Sequence, residues 1–223
     1  MRRYQDLYDS GILRDQNELI QDAQRGTLDF TKYNVLNMLN TKYIVYGPSR
    51  NNVIKNTASF GSAWFVEEAI EVSSPSEEIS ETVDHASQNT AVVDISKFVI
   101  PAFQSDSSAT VRLVEKKPSY LKYESTSGAD GLIVFSEIYY PKGWRAQIDG
   151  GDVNILRVNY VLRGLSVKAG NHVIEFYFEP KPYTIGNVIT MASGWLVLLV
   201  FGACIGWDLK SNGLSSKQEP GSD

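Results

Sequence analysis

Cysteine is almost missing from this chain: Cys204 stands alone among 223 residues. No disulfide can form within it. Only two histidines are present, His85 and His172, and they lie far apart. A local Cys/His metal motif is therefore excluded. No EF-hand loop, Walker A sequence or G-x-S-x-G elbow occurs either; a carboxylate site for calcium stays open, and no cofactor is expected. The chain also lacks excess positive charge, its formal net charge being −5. A nucleic-acid partner would need clustered Lys and Arg, so none is expected. Neither histidine has a nucleophile close in sequence, and both read as surface residues.

What is present is one long apolar run. IGNVITMASGWLVLLVFGACIGW, residues 185–207, contains no charged residue. About 23 residues at ~1.5 Å per residue span roughly 34 Å, enough for a bilayer core of ~30 Å. Small residues such as Gly186, Ala192, Gly194 and Gly202 would let neighbouring helices approach closely, and Trp207 sits where an interfacial aromatic belongs. The alternative is a buried core helix, but such helices seldom run this long without a charge. The polar end, residues 208–223, is expected to be a disordered tail.

Upstream the pattern changes twice. Residues 1–105 read as a small helical and α/β unit. Two helices are expected before residue 40, with Gly11 as a break and Asp29 or Thr31 as a cap. A strand over Tyr43–Tyr46 follows. Ser62–Val72 reads as one strand, residues 75–87 as a helix capped by Ser76, and Thr90–Ile95 as another strand. The linker, residues 96–109, carries no pattern. Residues 106–182 then read as an antiparallel β-sandwich, Ig-like or jelly-roll-like, with short strands punctuated by Gly128, Gly150-Gly151 and Gly170-Asn171. The fold class is α+β: an α/β unit, a sandwich and one C-terminal transmembrane helix.

The stretch EIYYPKGWRAQIDGGD, residues 137–152, concentrates the aromatic residues. Tyr139, Tyr140 and Trp144 flank a Pro-Lys-Gly corner. Trp144 shares a face with Ala146 and Ile148 and is expected to pack inward. The two tyrosines point to opposite faces, so at most one is exposed. Asp149 and Asp152 read as residues of a hairpin tip that offers no cleft for paired carboxylates. Arg157, Asn159 and Arg163 form a second polar group among apolar strands. Arg163 shares a face with Val161, Leu165 and Val167, so a buried ion pair to Glu137, Asp149 or Glu175 is expected; anion binding is the alternative. Tyr139, Tyr140, Trp144, Arg157, Asn159 and Arg163 are thus the candidate ligand-binding residues, and no catalytic residue is named.

RRYQDLYDSGI at the start, VLNMLNTKYIVYG at 35–47, AWFV at 63–66, FSEIYYPKGWRAQIDG at 135–150 and ILRVNYVLRGLSVKAGNHVIEFYFEPKPYTIG at 155–186 resemble the C-terminal end of the bacterial YfhO family. The Tyr-Pro-Gly-Trp, Asp-Gly and Ala-Gly-x-His elements, in fixed order, carry the resemblance most specifically; the linker and the tail add nothing. The resemblance implies a large polytopic protein of the bacterial cytoplasmic membrane, similar to GT-C glycosyltransferases that use lipid-linked sugars in envelope glycosylation. It implies acidic catalytic residues in extracytoplasmic loops near the family's N-terminus, a part this chain does not carry. The chain is expected to be the extracytoplasmic accessory domain and last helix of such a protein. Its partners would be the bilayer, other transmembrane helices, and a glycan or lipid-linked sugar. The flanking charges, Lys181 before the helix and Asp208 and Lys210 after it, do not set orientation; the resemblance implies a domain outside the cytoplasm. A membrane-anchored carbohydrate-binding or adhesion module and a purely structural domain are the alternatives.

Overall fold

The computed structural model of the chain describes residues 2–49 and 52–215. The order of elements is α1 (Arg2–Leu7), a π-helical turn (Tyr8–Ile12), α2 (Leu13–Arg25), a 3-10 turn (Phe30–Lys32), α3 (Asn34–Met38), β1 (Tyr43–Val45), β2 (Val53–Lys55), β3 (Ala63–Val66), β4 (Glu68–Val72), α4 (Pro75–His85) and β5 (Thr90–Asp94). There follow β6 (Thr110–Lys117), β7 (Tyr120–Ser127), β8 (Gly131–Ile138), β9 (Trp144–Ile148), β10 (Gly151–Val153), β11 (Leu156–Val158), β12 (Leu162–Val167), β13 (Gly170–Phe178) and α5 (Lys181–Ser215).

Gly11 does not break the first helix. The chain passes through it as a π-helical turn. A Cβ at this glycine would lie 3.0 Å from Val35 Cγ2 and 3.2 Å from Val83 Cγ2, so the missing side chain is what lets this turn approach α3 and α4. Asp29 caps the 3-10 turn, its carboxylate accepting from the Thr31 amide and hydroxyl. Ser74, not Ser76, caps α4: its hydroxyl accepts from the Glu77 amide and Pro75 takes the first helical position. Proline is pre-organised for that place, and this puts the cap one residue before it.

Asp15 is the buried carboxylate of the helical layer. It accepts from the Val35 and Leu36 amides at 2.9 and 3.1 Å, holding the N-terminus of α3. Burial outweighs those bonds and the nearby Arg14, and pushes its pKa up to about 6. The folded state therefore keeps a proton that the unfolded chain releases near 3.8. Stability should fall as pH rises from about 4 to about 6, by about 3 kcal/mol in all. Asp29, Asp106, Asp130 and Asp149 are shifted downward instead, so their contributions are lost below that window. Denaturant titration across pH 4–7 should show this slope, and Asp15→Asn should flatten it. A wild-type stability that rises through the window would refute the assignment.

The expected single strand over residues 62–72 is two strands in two different sheets. β3 pairs antiparallel with β8, whereas β4 pairs in parallel with β5. The chain leaves one sheet for the other at Glu67, whose amide bonds the Asn89 carbonyl at 2.7 Å. Parallel pairing needs a crossover, and α4 supplies it.

Two antiparallel sheets face each other. One has the order β10-β9-β13-β7-β6 and the other β11-β12-β8-β3. Between them pack Leu121, Tyr123, Ile133, Phe135, Leu165, Ile174 and Phe176. Leu132, Val134 and Leu162 point out of the other face of the four-stranded sheet, into a second core with the N-terminal helices and β5. This explains why β8 reads GLIVF without polar alternation: both its faces are covered, as in other sheets buried on both sides. Strand β3 thus joins the sandwich from before residue 105, and residues 1–178 form one compact unit.

α5 belongs to a separate unit. Gly186–Lys210, 25 residues that include an 18-residue stretch with a mean hydropathy of 2.3, is long and apolar enough to cross a membrane. Two of its hydroxyls close on the helix itself: Thr190 donates to the Gly186 carbonyl and Ser193 to the Thr190 carbonyl. The helix runs past Trp207 to Ser215. The expected disorder is therefore corrected for residues 208–215; residues 216–223 lie outside the described residues.

Candidate functional site: an aromatic cleft with an unpaired arginine

The corner after β8 is shaped by a bulge. Arg163 pairs with Phe135 whereas Leu162 pairs with Ile138, so the register shifts between Leu162 and Arg163. A bulge re-aims the side chains around it. Arg163 Nε then donates to the Ile138 carbonyl at 3.0 Å, and the Tyr139 amide donates to the Val161 carbonyl at 2.7 Å. Gly143, at φ 125°, turns the chain into β9.

These elements form one wall of a cleft of about 670 Å³, a size in the range of small-ligand sites. Tyr139, Tyr140, Trp144 and Arg163 all line it. Asp152 and the segment that leads into β11 line it too, and Lys97 and Phe98 enter from the loop after β5. Asp152 and parts of β9 and β10 border the cleft, but Asp149 and the Gly150-Gly151 turn do not, so the hairpin tip brings no pair of carboxylates to it.

The rings divide their work. Trp144 lies under the Arg163 guanidinium, 4.1 Å from ring centroid to Cζ, with Phe178 tilted against it at 5.2 Å. Its surface is largely spent on these neighbours, in keeping with the inward packing expected for it. Tyr139 packs edge-on to Phe98. Tyr140 is the open ring, 49% exposed.

Arg163 is only 3% exposed, yet the expected ion pair is absent. Among the described residues no carboxylate lies within ion-pair reach of it. Glu137 pairs with Lys116, Asp149 with His172, and Glu175 accepts from the Tyr120 hydroxyl. Nη1 of Arg163 is buried with no hydrogen-bond partner among the described residues. Burial pushes the Arg163 pKa down to about 10, with Glu137 acting only through space; that corresponds to about 3 kcal/mol against the charged form.

Arg157 and Asn159 are not brought to the cleft. Arg157 makes two hydrogen bonds to the buried Glu78 carboxylate, at 3.1 and 3.0 Å, and reaches Asp94 at 3.4 Å. Asn159, at φ 46°, exchanges two bonds with Val92: its side-chain Oδ1 accepts from the Val92 backbone amide and its backbone amide donates to the Val92 carbonyl. Both side chains dock the β11–β12 turn onto β5 and α4. Lys97, Arg145 and Asp152 were missed as cleft residues. Lys97 sits in the patternless linker, and only the folded chain carries it to the aromatic corner.

Neither histidine is set beside a nucleophile among the described residues. His172 Nδ1 lies 2.6 Å from Asp149 Oδ2, and this bond holds the Asp149 pKa below its usual value. The other ring nitrogen bonds no hydroxyl or thiol among the described residues. His85 pairs with Glu81 one helical turn away. No group of three His, Cys, Asp or Glu side chains suited to a metal ion occurs among the described residues.

Residues 101–190, which hold most of the cleft and the start of α5, match the family model described as bacterial membrane protein YfhO. No curated protein and no solved structure matches the chain.

Proposed function

We propose, from the premise that residues 101–190 belong to the YfhO family of bacterial membrane proteins, that this chain is a glycan-holding extracytoplasmic domain. It would be the accessory domain and closing transmembrane helix of a larger protein of envelope glycosylation that transfers lipid-linked sugar, with the catalytic residues elsewhere. One observation carries this reading: an aromatic cleft, with Tyr140 open on its rim, lies in the family-matched region of a chain that also has a membrane-length helix. An aromatic ring offers a flat apolar face to the C–H side of a sugar, and polar residues around it bind the hydroxyls. The cleft equally suits the second reading, a membrane-anchored carbohydrate-binding module without an enzymatic partner.

Two measurements test the proposal. Orientation is read with Cys204→Ser and Ser76→Cys combined, since Ser76 is exposed on α4. A membrane-impermeant maleimide should label this variant in intact cells; labelling only after lysis would place the domain inside and end the proposal. Function is read by replacing the gene in its bacterium with Tyr140→Ala and comparing the sugar content of purified envelope polymers with a deletion. The deletion should abolish one sugar modification, and Tyr140→Ala should lower it several-fold, since a lost ring contact is worth about 1 kcal/mol. An unchanged envelope in the deletion, with glycan binding retained by the purified protein, would favour the binding module.

A further inference from the structure

We infer that the cleft is a site for a saccharide bearing an oxyanion, a phosphate or a carboxylate, with Arg163 as the counter-charge and Tyr140 as the stacking ring. The saccharide part rests on the proposed function; the anion preference rests on the cleft itself.

The contrast between the two buried arginines carries the argument. Arg157 is saturated by carboxylates, with Glu78 gripping it twice and Asp94 behind. Arg163 is still more buried, yet it has one backbone carbonyl and two aromatic rings for company. A guanidinium kept out of water needs an anion, and one that is structural finds it within the fold. Arg163 has no such internal anion among the described residues, and its side chain forms part of a cleft wall. Its charge is spread over three nitrogens in a plane. An oxyanion in the cleft therefore lies beside a guanidinium whose Nη1 still lacks an acceptor among the described residues.

The surroundings favour the same sign. Lys97, Arg145 and Arg163 line the cleft against one carboxylate, Asp152, in a chain whose net charge is −5. Asp152 is already engaged by Arg145 at 3.5 Å and by Gln147 at 3.0 Å. Trp144 acts as a positioning residue: its ring fixes the guanidinium plane from below. Tyr140 is left open beside it, so an anion and a sugar face can be read together.

The test uses the full chain in detergent micelles and titration calorimetry with four probes: glucose, glucuronate, glucose 1-phosphate and inorganic phosphate. At least one of the two sugar anions should bind about tenfold tighter than glucose, the gain expected of a charge-assisted contact. Which of the two is tighter separates a phosphate from a carboxylate ligand. Arg163→Gln should remove that advantage, and Arg163→Lys should restore only part of it. Tyr140→Ala, at an exposed position, should weaken the sugar anions and leave inorganic phosphate unchanged. It keeps the proposal testable if the Arg163 variants lose their near-ultraviolet circular dichroism. Equal binding of glucose and both sugar anions would overturn the anion site while leaving the glycan reading intact. Binding of inorganic phosphate as tightly as the sugar anions, with the sugar anions unaffected by Tyr140→Ala, would overturn the saccharide part and with it the glycan-holding role. No binding of any probe would overturn the site.

Discussion

Glu78→Gln should destabilise the domain by about 3–5 kcal/mol, the range for breaking a buried ion pair by removing one partner. Glu78 is 0% exposed. Its two oxygens accept from Arg157 Nε and Nη2, and one of them also accepts from Arg3 Nη1 at 2.7 Å. Three segments distant in sequence meet at this carboxylate: α1, α4 and β11. Arg3 also stacks on Tyr160 at 4.4 Å, and the Tyr160 hydroxyl donates to Asp6, so the same network ties the first helix to the β11–β12 turn. Glutamine keeps the shape but not the charge, and it turns an amide NH₂ toward guanidinium groups that need an acceptor. Chemical denaturation of the full chain in micelles, followed by near-ultraviolet circular dichroism, measures the loss. Arg157→Met in the Glu78→Gln background should cost less than its effect alone, because the pair acts as a unit. A loss below about 1 kcal/mol for Glu78→Gln would mean that Asp94 holds Arg157 unaided.

Phe135→Ala should cost a similar about 3–5 kcal/mol, by cavity formation in the sandwich. Phe135 is fully buried at the centre of an aromatic triangle, with centroids 4.9 Å from Tyr123 and 4.9 Å from Phe176, both edge-on. The ring bridges the two sheets: it comes from β8, its neighbours from β7 and β13. Phe176 in turn lies 5.5 Å from the guanidinium of Arg163, a residue that lines the cleft. Phe135→Leu, closer in volume, should cost less than half as much. Equal losses for the two variants would show that the edge-on ring geometry, not the filled volume, is what matters. The same denaturation measurement separates these outcomes.

The strands of the sandwich were legible because they alternate between glycine-marked turns. Asp149-Gly150 forms a tight hairpin with both residues at positive φ, the geometry such turns need. Tyr160, at φ 65° beside Asn159, was not legible, since nothing in a tyrosine announces a left-handed backbone. The Arg3 stack and the Asp6 bond hold it there. The split of residues 62–72 into two sheets was hidden for a similar reason. The residues AWFVEEAIEV suit one strand as well as two, and only the partners β8 and β5 decide where the chain crosses over. The cleft was half visible. The aromatic corner and Arg163 were named from the sequence, but an ion pair was assumed where none forms.

Composition and local pattern alone were enough for the membrane-length helix, the β-rich second half and the α/β first half. These rest on runs, periods and counts, which neighbours in sequence report directly. The partners of the arginines, the sharing of the four-stranded sheet between two cores and the joining of Lys97 to the aromatic corner needed the folded chain. Each is a contact between segments tens of residues apart. Electrostatic pairing depends on distances of a few ångströms, to which spacing along the chain gives no access. Two arginines six positions apart, Arg157 and Arg163, thus have opposite fates: one is locked between Glu78 and Asp94, the other is left to face the cleft.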